Sequence, residues 1–399
     1  MPNPPKPADA AVICAAARTP IGAFQGTLAS LSAPELGAIA IKAAIERAGL
    51  AKEKVERVIM GNVLSGGVGQ APARQAAIKA GLPVSAGAIT VNKVCGSGLQ
   101  AVMFARRDIA IGDVEVVVAG GMESMTNAPY MLPKARSGYR MGHGEILDSV
   151  IHDGLWDPYG KMHMGTCGDR VAEKYGFTRE TQDAFAAESY RRARAAAASG
   201  KFKDEIVPVS IAQRKGEPTI VDQDEEPGRG DPARFGSLRP AFSEKGTVTA
   251  ANASSINDGA AALVVASEAA ADALRLPKLA RIVADASAAV EPEWFTIAPV
   301  HALKKLYEKT GTKPGDWDLY EINEAFSGVT LAAIHDHKLD PASVNVHGGA
   351  VSLGHPIGCS GARVLVTLLH ALRDRGKRRG IATLCIGGGE AVALGVEML

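Results

Sequence analysis

The sequence predicts a layered α/β protein in which one core unit occurs twice. Three observations carry that expectation. Apolar, strand-like stretches alternate with amphipathic helical ones toward both ends of the chain, the pattern of buried strands covered by helices. Between Met122 and about Ala250 that rhythm gives way to an irregular block richer in Met, Tyr, Gly and charge. A glycine turn, a helix, a buried strand and a Gly-Gly pair follow one another in the same order in each half.

Ala10 to Ala17 is a continuous apolar run and reads as a buried strand, ended by Pro20 and Gly22. Pro34 to Ala48 sets Leu36, Ile39, Ala40, Ala43, Ala44 and Ile45 on one helical face and closes on Gly49. Val55 to Val63 is a second strand, Ala71 to Ala80 a helix stopped by Gly81 and Pro83, and Ile89 to Val94 a third strand. Leu99 to Ile111 is a helix opening off the turn at Cys95, and Val114 to Ala119 a strand ending at Gly120 and Gly121. The irregular block holds one helical pair, Gly165 to Tyr175 and Arg179 to Ser199. Its two charge runs, one at Arg191, Arg192 and Arg194 and one from Asp222 to Glu226, read as solvated surface. Gly259 to Ser267 then resumes the strands, with a helix over Glu268 to Leu274 and a strand over Lys278 to Ala289. A helix over His301 to Thr310, a short strand over Leu319 to Ile322 and a helix over Ala325 to His335 follow. Asn345 to Gly361 is so rich in glycine that it predicts bent backbone rather than regular structure. The second copy of the repeat runs from the turn Gly358 to Gly361 through a helix over Ala362 to Arg373 into a strand that begins at Ile381 and reaches Gly387 and Gly388.

At 399 residues the chain has room for two or three domains and a large core. Apolar and charged contents of 46% and 22% are those of an ordinary globular protein, and a net charge of +1 offers no global field for nucleic acid or membrane. The five cysteines are scattered and form no CxxC pair, which argues against a disulfide framework or a structural zinc and for a reducing compartment. The start, Met1 to Pro7, reads as a stiff polar tail without an apolar signal core, so a cytoplasmic protein is expected.

Chemistry concentrates at three glycine-flanked side chains. Cys95 sits between a strand and a helix N-terminus, where backbone N–H groups and the helix dipole favour a thiolate. His355, between Gly354 and Pro356, is held in a fixed backbone, as a general base must be. Cys385 ends a buried strand before three glycines, where a second thiol can serve as acid or base. Buried cysteines and histidines are more often plain core, and Cys14 and Cys167 keep that reading. Asn323, between a strand and a helix, is either an N-cap or a group that positions water at an oxyanion. Gly96 to Ala101 also satisfies the dinucleotide pattern G-x-G-x-x-A, but the next strand closes on glycines, with Glu123 beyond, and that reading leaves the cysteines and histidine without a task.

Val94 to Gly98, Asn323 to Phe326, Gly348 to Gly358 and Cys385 to Gly389, in this order and spacing, resemble the thiolase family, and in particular its acetyl-CoA acetyltransferases. The resemblance runs from about residue 10 to the C-terminus. It implies a duplicated five-layer α/β/α/β/α fold, with a first half over residues 1–124 and 256–277, an inserted loop domain over 125–255 and a second half over 278–399. It implies Cys95 as the nucleophile acylated by a CoA thioester and His355 as its activator. His355, with a water on Asn323, would also stabilise an enolate. Cys385 would move the α-proton, and the N–H groups of Cys95 and Gly387 would form an oxyanion hole. Coenzyme A contacts would fall to Ser254, His163, Met164, Leu155, Phe242, Ala250, Ala325, Phe326, Arg229 and Arg234. A closer likeness to the potassium-activated, mitochondrial-type branch puts a potassium ion at Tyr190, Ala250, Ala251, Ala253 and Val351, held largely by main-chain carbonyls. That branch also retains Phe295, but carries proline where this chain has Thr296, which bears on 2-methyl-branched substrates.

The expected activity is therefore reversible condensation of two acetyl-CoA into acetoacetyl-CoA and CoA, without a prosthetic group, in a homotetramer built as a dimer of dimers. The alternatives are a longer-chain 3-ketoacyl-CoA thiolase of fatty-acid degradation and a non-catalytic acyl-CoA-binding relative. A second cysteine at 385 argues against a fatty-acid condensing enzyme.

Overall fold

A computed structural model describes residues 10–399, so the tail expected at the start lies outside the described residues. The first run of principal elements is β1 (Ala11–Arg18), α1 (Ala33–Ala48), β2 (Arg57–Gly61), α2 (Pro72–Lys79), β3 (Gly87–Val91), α3 (Ser97–Ala110) and β4 (Val116–Ser124). Between Ser124 and Asn257 the chain leaves the main sheet and carries α4 (Met164–Tyr175) and α5 (Arg179–Ala198). It returns through β5 (Asn257–Ser267), α6 (Glu268–Ala273), β6 (Ala280–Ala289), α7 (Ala298–Thr310) and β7 (Leu319–Ile322). The last elements are α8 (Ser327–His337), α9 (Ile357–Asp374), β8 (Arg379–Ile386) and β9 (Glu390–Met398).

The strands lie in the order β7-β8-β9-β6-β1-β5-β4-β2-β3. Each half repeats one pairing scheme. β2 runs parallel to β4, which is antiparallel to β5, itself antiparallel to β1. β7, β8, β9 and β6 stand in the same relations. Even the irregularities match, since the register slips at Ile13/Ala15 in β1 and at Ile282/Ala284 in β6. Among the described residues the halves join edge to edge through two pairs, Val12 with Arg281 and Ile13 with Ala280.

Helices fill three layers around these two half-sheets. Leu36, Ile41 and Ala73 of α1 and α2 pack on Val12, Val58 and Val264 at one outer face. Leu303 and Leu306 of α7 and Ala333 of α8 pack on Ala286, Ile322 and Ile381 at the other. Leu99 and Met103 of α3, with Val366 and Leu369 of α9, form the middle layer against strands of both halves. This is the expected five-layer α/β/α/β/α arrangement. α3 and α9 can lie side by side because they meet at glycine. A Cβ on Gly98 would stand 2.6 Å from the Ala362 nitrogen, and one on Gly361 would stand 2.3 Å from the Leu99 nitrogen.

Several expectations need correction. Asn345 to Gly361 is more regular than its glycine content suggested, with a helical turn at Ala350–Leu353 and the first turn of α9 from Ile357. Its Gly358 lies inside a helix, and the need is close approach. The Gly358 carbonyl would meet a Cβ on Gly61 at 2.6 Å and one on Gly121 at 2.0 Å. For the same reason β4 runs on through Gly120 and Gly121 to Ser124 instead of stopping. β9 was not foreseen, although its Val392, Leu394 and Val396 alternate with the smaller Ala391, Ala393 and Gly395 at the two-residue period of a strand. The charge runs are not simply solvated. The Asp224 side chain, 3% exposed, is held by Arg18 in a two-pronged pair at 2.6 and 2.8 Å, and Glu225 accepts from the Ala23 and Thr27 N–H groups. Arg192 donates to the Val344 carbonyl at 2.6 Å. An irregular segment laid over strand ends must satisfy stranded backbone groups, and these side chains do so.

Candidate active site

Cys95 stands in a tight turn between β3 and α3. The Lys93 N–H donates to Ser97 Oγ at 2.8 Å, and that hydroxyl donates to the Val94 carbonyl at 2.7 Å. Val94 takes a φ of 46°, a left-handed value that a β-branched residue resists. Gly96 then rests on β8, where a Cβ would meet Ile386 Cδ1 at 2.3 Å. The Cys95 turn is thus seated on the strand that carries Cys385.

His355 is fixed from both ends. Gly354 has a φ of 101°, and a Cβ there would strike the Asn257 side chain at 2.4 Å. Asn257 Oδ1 accepts the His355 N–H at 2.9 Å. On the ring, Nδ1 lies 2.5 Å from Ser360 Oγ, whose own proton goes to the Pro356 carbonyl at 2.9 Å. Ser360 therefore accepts from Nδ1–H, and Nε2, which has no protein partner, carries the lone pair.

These groups share one cavity. Cys95, His355 and Gly387 line it with Val94, Gly154, Leu155, Met164, Ser254, Phe295, Ala325, Phe326 and Ile357. Cys385 is fully buried and packs in the cluster of Met164, Phe295, Ala325 and Phe326. Asn323 is buried at the end of β7, its amide oxygen and nitrogen both without a partner among the described residues. His163 stacks on Phe242 with centroids 4.6 Å apart, and Phe242 meets Phe326 edge-on at 6.3 Å. The Ser254 N–H and hydroxyl both donate to the Ala325 carbonyl, at 3.0 and 3.1 Å. Arg229 reaches Glu225 at 3.5 Å and Arg234 is exposed, and the cavity lining includes neither. Tyr190, Ala251 and Val351 come together in a cluster with Phe235, Ala253 bridges to Phe326, and Ala250 is exposed.

The electrostatics reverse one expectation. Burial pushes the Cys95 thiol up to about 11, outweighing the N–H groups of Gly387 and of Cys95 itself, which favour the thiolate. Burial, aided by the Arg363 guanidinium, pushes His355 down to about 3. Burial, with the neighbouring Cys95, raises Cys385 far above the usual thiol range. At neutral pH all three are uncharged. Cys95 is not a preformed thiolate, so it would need a base to act as a nucleophile.

Three residues escaped the sequence reading. Ser360 and Asn257 hold His355, as above. Glu123, buried, accepts from Asn62 Nδ2 at 2.6 Å and from the N–H groups of Val63, Leu64 and Gly358 at 3.0, 3.2 and 2.9 Å. Burial raises its carboxyl to about 7 against those donors. Only Ser360, five residues past His355 at a helix start, carried any sequence signal. The dinucleotide alternative fails on packing, because the α3 N-terminus at Gly98 is covered by α9.

Comparison with known proteins agrees with this architecture. Residues 11–269 match the family model described as thiolase, N-terminal domain, and residues 276–398 match thiolase, C-terminal domain. The acetyl-CoA acetyltransferase of Allochromatium vinosum is 53% identical over 97% of this chain and 99% of its own. The crystal structure of the Acat5 thiolase from Ascaris suum in complex with coenzyme A superposes with a TM-score of 0.93 at 45% identity, covering 98% of this chain and all of that one. The Bacillus anthracis acetyl-CoA acetyltransferase superposes with a TM-score of 0.96 at 43% identity, covering 98% and 99%. With both domain models matched over nearly the whole chain, the protein belongs to the thiolase family.

Proposed function

We propose that the protein is an acetyl-CoA C-acetyltransferase that reversibly joins two acetyl-CoA into acetoacetyl-CoA and CoA through an acyl-Cys95 intermediate. The observation that carries this reading is the single cavity in which Cys95, His355 and Gly387 face the Cys385 cluster, with the relatives' activity in support.

The proton count follows from the geometry. His355 Nε2 takes the Cys95 proton, and the thiolate attacks the thioester carbonyl. The Cys95 and Gly387 N–H groups hold the oxyanion. CoA leaves with the Cys385 proton, so that Cys385 is a thiolate and His355 an imidazolium. Ser360 can accept from Nδ1–H in either state of the ring. Cys385 then removes an α-proton from the second acetyl-CoA, and the Nε2–H of His355, with a water on Asn323, stabilises the enolate. Attack on acyl-Cys95 expels its thiolate, which recovers the proton from His355. Every group returns to its starting state.

Met164, Phe295 and Phe326 close the acyl end, with the two rings 6.5 Å apart, which favours a short acyl group over a long one. Ser254, His163, Leu155 and Phe242 would contact the pantetheine arm of CoA. Arg229 and Arg234, exposed on the same inserted block, would serve its phosphates. A potassium ion fits Tyr190, Ala251 and Val351. Among the described residues, the carbonyls of Ala250 and Ala251 accept no hydrogen bond and are free for a hard cation. We place the protein in the cytoplasm as a homotetramer.

The test is CoA-dependent thiolysis of acetoacetyl-CoA beside a long-chain 3-ketoacyl-CoA. Turnover of acetoacetyl-CoA alone is the expected result. Equal or greater turnover of the long chain would move the protein to fatty-acid degradation. Cys95→Ala abolishes both directions, whereas Cys385→Ala, in which the His355 imidazolium can return its proton to the leaving CoA thiolate, still forms acyl-Cys95 and makes no carbon–carbon bond; normal condensation by Cys385→Ala would overturn its role.

A further inference from the structure

The two N–H groups assigned to the oxyanion hole come from different halves of the chain. Cys95 belongs to the turn before α3, and Gly387 to the hairpin between β8 and β9. That hairpin is three glycines long, Gly387 to Gly389, two of them at φ values of 92°. Such a loop has little intrinsic stiffness. Its flanks are firm, since Ile386 pairs with Glu390 and the Val290 N–H donates to the Gly389 carbonyl at 2.7 Å. The nucleophile turn is firm as well, because the Lys93 N–H is held by Ser97 Oγ and the Lys93 carbonyl accepts from the Gly96 N–H at 3.0 Å. What fixes one relative to the other is the Gly96–Ile386 contact below and, at the rim, an ion pair between Lys93 Nζ and Glu390.

We propose that the Lys93–Glu390 ion pair is a positioning clamp that sets the Cys95 and Gly387 N–H groups at the spacing the oxyanion requires. The inference rests on the reading of those two groups as the oxyanion hole. The pair spans the two loops directly, two residues before Cys95 and three after Gly387. Its side chains are 25% and 40% exposed, so it contributes little to global stability, and variants are expected to fold. Its effect is local. Oxyanion stabilisation is steep in geometry, and loss of one donor costs roughly 100- to 1,000-fold in rate. A partial displacement costs less.

The experiment is steady-state thiolysis of acetoacetyl-CoA by four purified proteins: wild type, Lys93→Ala, Glu390→Ala and the reversed pair Lys93→Glu/Glu390→Lys. Each single variant is expected to lose about tenfold in kcat, a fraction of a full donor loss, with KM nearly unchanged because neither residue lines the cavity. The reversed pair is expected to recover most of that loss, which a merely structural role does not predict. Wild-type kcat in both single variants, or a reversed pair no better than either, overturns the clamp. Intact-mass detection of an acetyl adduct on wild-type Cys95 separates the failures: no adduct refutes the underlying activity, and an adduct with insensitive variants refutes the clamp alone.

Discussion

Cys95, His355 and Cys385 were legible in the sequence because each sits in a glycine seat that ordinary core residues do not need. Their supports were not, because Asn257 and Glu123 reach the site from distant strands and only the fold brings them near. Ser360 has a role that can be isolated. Its hydroxyl accepts from His355 Nδ1–H and so keeps the Nε2 lone pair facing the cavity. Ser360→Ala leaves the ring free to take the other tautomer, and kcat is expected to fall about 10- to 100-fold, within the range of general-base effects, with KM little changed. Ser360→Thr, which keeps the hydroxyl, is expected to retain most activity; steady-state kinetics of the two variants decide. His355 also carries a stability signature. Its folded pKa, about 3, lies below the unfolded value of about 6.5, so the unfolded chain binds more protons between those limits. The neutral ring is harmless above pH 6.5, and stability is lost as pH falls below it, by about 1.4 kcal/mol per pH unit. His337, His347 and His370, also lowered by burial, act in the same direction, so the measurement is a difference. Thermal unfolding of His355→Asn between pH 4.5 and 7 is expected to show a shallower acid slope than wild type. Parallel slopes would remove His355 as a source.

At the scale of elements, periodicity located nearly every helix and strand of the core, since each buries one face or runs wholly apolar. It failed where glycine serves contact between elements rather than a bend within one. Gly358 and Gly361 look like turn residues in the sequence, yet both lie in α9. The reason is the crossing with α3, where Gly98 and Gly361 are mates in the duplicated unit and each lies against the other's backbone. A methyl group at Gly361 would stand 2.3 Å from the Leu99 nitrogen, and backbone cannot yield as a flexible side chain can. Gly361→Ala is therefore expected to destabilise the protein by about 1–3 kcal/mol, although alanine is the better helix former. The exposed Gly236, with nothing within 4 Å of an added Cβ, is the control. Urea unfolding of Gly361→Ala beside Gly236→Ala measures the difference, and equal midpoints would show that the helices can separate at no cost.

For the whole molecule, duplication explains why the site is where it is. Each half delivers a helix N-terminus to the middle layer, and the Cys95 turn and the His355 segment approach the cavity from opposite halves. The first half ends at an open edge, β3, which among the described residues pairs only with β2. Ile89 on that edge is 46% exposed, with Val84 at 79% and Ile78 at 43% nearby in the chain. An apolar edge with free N–H and C=O groups is a template for pairing with another strand, and natural proteins cover such edges. A second apolar surface lies on the inserted block, where Leu132, Met141, Ile146 and Tyr159 are all more than half exposed. Two separate apolar surfaces, each paired with its own copy, would give two kinds of two-fold contact, which is what a dimer of dimers requires. The proposed tetramer then divides predictably. Ile89→Lys puts a charge on the edge strand and is expected to leave dimers joined through the inserted block. Met141→Glu is expected to leave dimers joined through β3, and the double variant monomers. Light scattering on the eluting species reads all three, and a wild-type monomer, or tetramers that persist through both single changes, would remove these surfaces as the assembly contacts.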